Sequence, residues 1–149
     1  MWWAHALLMF VGMILIQVFA MPFLMADRPA HVYFSATQGW LGAAMGAAMV
    51  ALGGILHPMP WWAWLLCVVM GAIAVAGYRF QIGVTDREYL HDMIPHHSMA
   101  ILTSRPRLSS PNPLIARLAE QIAVVQKREI AEMQAILALK NPPASPPTP

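Results

Sequence analysis

Charge is scarce in this sequence, and cysteine is nearly missing. Only 11% of the 149 residues are Asp, Glu, Lys or Arg, and the first of them is Asp27. The basic residues are scattered, with no stripe interleaved with aromatics, which argues against a nucleic-acid partner. The single cysteine, Cys67, lies inside an apolar run, so there is neither a disulfide framework nor a Cys-based metal site. The sequence shows no Ser/His/Asp arrangement and no Gly-rich phosphate loop leading into a helix. It also lacks an HExxH set and the paired E-x-x-H of a di-iron bundle. These absences point away from an enzyme.

What the chain has instead is apolar length. It is 58% hydrophobic, and most of that lies before position 84. Three stretches, residues 4–25, 34–56 and 61–82, each approach or exceed the roughly 20 apolar residues a membrane-crossing helix needs. A signal peptide competes for the first stretch. Its N-terminal region has no Lys or Arg and no small-x-small cleavage site follows, so it is read as a retained span. Gly42-x-x-x-Gly46 in the second span permits close helix approach, and Met45 and Met49 are read as packing. Trp2, Trp3, Trp61, Trp62 and Trp64 mark one interface as an aromatic belt, with Tyr33, Trp40, Tyr78 and Arg79 at the other. Arg28, Arg79 and Arg87 share that second side, so the positive-inside rule places the C-terminal part in the cytoplasm.

The second half is a polar-faced helical module over residues 84–140. Thr85-Asp-Arg-Glu88 is a capping box that opens a helix, which ends ahead of Pro106. Asn112 followed by Pro113 opens another, running to about residue 139, or about 40 Å. Leu114, Leu118, Ile122, Val125, Met133, Ile136 and Leu137 are expected to form its buried face. A short connection implies antiparallel packing. Residues 141–149 (NPPASPPTP) are expected to be a flexible or polyproline tail. The fold class is therefore all-α: three transmembrane helices, then a two-helix antiparallel hairpin.

Chemistry concentrates in the stretch from His91 to Ala100 (HDMIPHHSMA), which holds three of the six histidines. At 100° per residue, Met93, His96 and His97 project within about one 100° sector, Met99 lies on its shoulder, and His91 points nearly the opposite way. Pro95 removes a backbone donor, which predicts a kink or local tightening there. Imidazole with thioether is a soft, uncharged donor set suited to Cu(I) and, through the histidines, tolerant of Cu(II). Glu129, on the last helix, either orients a histidine or ligates directly. The candidate metal residues read from this stretch and its neighbour are His96, His97, Met93 and Glu129, with His91 and Met99 flanking them.

Asp86 with Tyr89 and Leu90, Met93-Ile-Pro-His-His97, Ala100-Ile101 and Gln126-x-x-Glu129-Ile-x-x-Met133 together resemble the bacterial domain-of-unknown-function 305 family. The resemblance covers about a third of the chain. It implies a ferritin-like helical bundle, copper binding or handling outside the cytoplasm, and Met93, His96, His97 and Met133 as ligands. The placement it implies opposes the one read from charge.

A lone hairpin of about 55 residues buries too little surface to stand alone. A second copy completing a four-helix bundle is the simplest remedy; the alternative is a different partner subunit or the module's own membrane helices. Two functions follow from the whole sequence. One is a membrane-anchored copper-binding protein that stores, buffers or transfers the metal. The other is a metal-free accessory subunit of a larger bacterial inner-membrane complex, docked through the Gly42/Gly46 face.

Overall fold

The computed structural model describes residues 2–139, which form five helices with no strand among the described residues. They are α1 (Trp2–Met25), α2 (Ala36–Leu56), α3 (Trp61–Arg79), α4 (Asp86–Ser104) and α5 (Pro113–Ala138). The all-helical expectation holds. The 141–149 tail lies outside the described residues.

The first three helices are long and apolar enough to cross a membrane. Leu8, Leu24, Ile55, Leu56, Trp61 and Val68 on them are all more than half exposed, as side chains that meet lipid must be. α1 contains a wider π turn at Ile16–Ala20, directly before Pro22. That proline offers no N–H to the carbonyl four residues earlier, and a π bulge absorbs the missing bond.

α2 is the central membrane helix, packed on both α1 and α3. Its Gly42/Gly46 pair faces α1. A methyl group at Gly42 would lie 2.9 Å from the Cα of Ile14, and one at Gly46 would lie 2.9 Å from the carbonyl oxygen of Phe10. The close-approach surface is thus used within the chain, and α1 occupies the face that the accessory-subunit reading assigns to a partner.

The two ends of the bundle differ. The rings of Trp2 and Trp62 lie 5.5 Å apart, which brings the N-terminus and the α2–α3 turn to one end. At the other end the Trp40 indole N–H donates to the carbonyl of Ile82 at 2.8 Å, closing the approach to α4.

α4 begins with the complete reciprocal capping box of Thr85 and Glu88. It runs α-helical through Pro95 without a change of helix type, so the expected tightening is not formed. α5 starts where Asn112 accepts a hydrogen bond from the Leu114 N–H at 3.0 Å. The hairpin core is Ile94, Ile101, Ile130 and Met133, with Tyr33, Leu90, Met93 and Leu137 against it. Each fully buried isoleucine contributes about 1.5–3 kcal/mol.

The buried face of α5 departs from expectation in part. Met133 is buried and Leu137 packs on the core as expected, and Ala119, Ala123 and Ile130 are buried as well, while Leu114, Leu118, Ile122, Val125 and Ile136 are exposed. The two stripes are offset by one residue, about 100° of rotation. Small alanines let α5 lie close on α4, and the larger side chains are left on a second apolar stripe.

Candidate functional site

α4 lies between the membrane helices and α5, and its sequence divides into three faces. Leu90, Met93, Ile94, His97 and Ile101 lie toward α5; His91, Asp92, Pro95 and Ser98 lie toward the connection after α1; His96, Met99 and Thr103 lie outward. Burial follows this division. Asp92, Ile94, Pro95, Ser98 and Ile101 are buried, and His96 and Met99 are exposed.

Two contacts set the antiparallel register of α4 and α5. An Arg87 guanidinium N–H donates to the Leu137 carbonyl at 3.5 Å, and His97 Nδ1 lies 3.0 Å from Glu129 Oε2. Met93 and Met133 each sit one helical turn from that pair, on the same side of their helices. They therefore form the next rung, and both belong to the apolar cluster of the hairpin. Gln126 donates to the same Glu129 oxygen at 3.1 Å and fixes the carboxylate. The His97–Glu129 contact lacks the alignment of a hydrogen bond despite its length.

Not every sequence candidate converges here. His97, Glu129, Met93 and Met133 are brought to one side of the hairpin. His96 and Met99 face outward and are not joined to that group. His91 stacks on Tyr33, with ring centroids 5.0 Å apart. Burial, then the nearby Arg87 charge, push the His91 imidazole below its ordinary pKa. Among the described residues no three His, Cys, Asp or Glu side chains cluster.

The largest surprise is a polar junction on the face of α4 toward the connection. Asp27, whose side chain is fully buried, accepts from Ser98 Oγ at 2.7 Å, His31 Nδ1 at 2.6 Å and Arg105 at 2.6 Å. Ser35 donates to Asp92 at 2.9 Å beside it. Burial alone would raise the Asp27 pKa, but the hydrogen bonds from Ser98 and His31 and the charges of His31 and Arg28 outweigh it, and the value is lowered.

Ser, His and Asp thus meet here although no sequence spacing announces them. They are not a catalytic triad. Asp27 and Ser98 both lie against the same ring nitrogen, Nδ1 (Ser98 Oγ at 3.1 Å), whereas proton relay uses opposite nitrogens. Ser98 is also fully buried. The cluster is a latch between the connection and α4. Its partners are 71 residues apart, and the one local hint is the charged pair Asp27-Arg28 just beyond an apolar span.

The arrangement defines a small helical hairpin latched to a three-helix, membrane-type anchor. Residues 83–148 match the family model described as Domain of unknown function (DUF305). The chain is also similar to an uncharacterized protein of Acanthamoeba polyphaga mimivirus, 39% identical over 74 residues. That match covers 49% of this chain and 49% of the relative, so the chain spans about half the length of the curated relative it matches. No solved structure matches.

Proposed function

We propose that the protein is a membrane-anchored copper-binding protein that buffers or passes on Cu(I) through the hairpin. The observation that carries this reading is the His97 Nδ1 brought within 3.0 Å of Glu129 Oε2 across the hairpin, one turn from Met93 and Met133. Two thioethers and an imidazole are soft to borderline donors, and with only one carboxylate beside them the set suits Cu(I) far better than Mg or Ca. His97 and the two methionines would hold the ion, and Glu129, fixed by Gln126, would bind or orient. His96 and Met99, exposed on the outer face, play no part within one chain.

The host membrane is proposed to be a bacterial inner membrane. Arg28, Arg79, Arg87 and Arg105 all lie at the hairpin end, which supports a cytoplasmic hairpin. The second apolar stripe of α5 supports self-association, since two such hairpins make a four-helix bundle.

Purified full-length protein titrated with Cu(I) against a chromophoric chelator tests the reading. His97→Gln is expected to lose at least tenfold in affinity at one site, and Met93→Leu/Met133→Leu to do the same. Unchanged affinity and stoichiometry in both variants would refute it.

A further inference from the structure

A second group of soft donors lies at the opposite end of the anchor, where the N-terminus meets the α2–α3 turn. A cavity of about 300 Å³ there is lined by His5 and Met9 from α1, by His57 and Met59 from the turn, and by Gly53 and Gly54 of α2. The sequence explains why they meet. His5 and Met9 are four residues apart and share one face of α1. His57 caps α2 with its backbone N–H on the Gly53 carbonyl at 2.9 Å, and Met59 lies two residues on, between Pro58 and Pro60.

The glycines make room for sulfur. A methyl group at Gly53 would lie 3.2 Å from Met9 Sδ, and one at Gly54 would lie 3.0 Å from Met59 Sδ. Two thioethers therefore sit over adjacent glycines, with the exposed imidazoles of His5 and His57 at the rim.

We propose that this cavity binds a soft monovalent cation, Cu(I) or Ag(I), through Met9, Met59, His5 and His57. The charge pattern selects the ion. Residues 1–26 and 29–78 contain no Asp, Glu, Lys or Arg, so this end supplies neutral donors only. Hard divalent cations depend on carboxylate oxygen, whereas thioether and imidazole hold Cu(I) without any counter-charge. Trp2 and Trp62, in contact beside the cavity, belong at the level of lipid headgroups, where a single charge costs far less than at the bilayer centre. The site shares no residue with the His97–Glu129 group and stands independently of it.

The test uses full-length protein in detergent, titrated with Ag(I) and, under reducing anaerobic conditions, with Cu(I). Met9→Leu/Met59→Leu conserves volume and is expected to lose one equivalent of bound metal, or at least tenfold in affinity for it. His57→Gln, a change at the exposed rim, is expected to weaken the same equivalent and serves if the methionine variant fails to fold. Both losses should persist in a His97→Gln/Met133→Leu background, so failure of the hairpin site is read separately. Sulfur scattering in the metal's X-ray absorption spectrum in that background should disappear with Met9→Leu/Met59→Leu. Unchanged stoichiometry and affinity in His57→Gln and in the methionine pair would overturn the proposal.

Discussion

The two sides of α4 are held by opposite chemistry. Toward α5 it presents Ile94 and Ile101 to Ile130 and Met133, and the bond between the helices is apolar packing. Toward the membrane helices it presents Ser98 and Asp92 to Asp27, His31 and Ser35, and the bond is a buried polar network. Packing decides whether the hairpin exists. The network decides where it sits on the anchor, because buried hydrogen-bonding groups tolerate only partners in the right place.

Breaking the apolar side has the largest expected effect. Ile94→Ala removes a side chain with no exposure and should cost about 3 kcal/mol. Hydrogen exchange would then show α4 and α5 losing protection together. Protection lost from α4 alone would break the comparison.

Asp27→Asn comes next, at about 2 kcal/mol. It keeps an acceptor for Ser98 but strands the Arg105 charge, which is itself half exposed and therefore only partly penalised. Here α4 amides near Ser98 should exchange faster while the α4–α5 pairing persists. Loss of the pairing as well would show that the two sides are coupled.

Acidification should loosen the same side. The His91 pKa is lowered from 6.5, so the folded state resists a proton that the unfolded chain accepts. Its contribution is complete above about pH 6.5 and declines as the pH falls below it. The Asp27 pKa is lowered from 3.8, so its share is present above that value and is lost as the pH falls through the folded one. Thermal melts between pH 7.5 and 5 should fall, and His91→Phe should flatten the upper part of that slope. A rise in melting temperature over this range would contradict the assignment.

The smallest effect on stability is expected from Glu129→Gln, below about 1 kcal/mol, because its carboxylate is 41% exposed. A melt shifted by more than a few degrees would mean that Glu129 serves the fold rather than a ligand.

How much of this was legible in the sequence follows the same division. Apolar runs have fixed lengths and periods, so the three long helices and the Thr85 and Asn112 caps could be read directly. The rotation of α5 could not. Both stripes are apolar, and only the closeness that Ala119 and Ala123 allow selects between them. That His97 and Met93 share a face, and Glu129 and Met133 another, could be read from helical spacing; Met133 became a ligand candidate only through the family resemblance. His96 shares that spacing but lies beyond the edge of the interface. The Asp27 latch was invisible, since Asp27 and Ser98 are 71 residues apart and a polar turn looks alike whether solvated or buried. The cavity of His5, Met9, His57 and Met59 was equally hidden, split between a helix start and a turn.

The most direct measurement is the X-ray absorption spectrum of Cu(I) bound to the Met9→Leu/Met59→Leu protein, where the hairpin is the one proposed site left. The expected shell contains both nitrogen and sulfur, with the sulfur lost on Met93→Leu/Met133→Leu. A shell of nitrogen and oxygen alone, or sulfur that survives that substitution, would contradict a copper site built across α4 and α5.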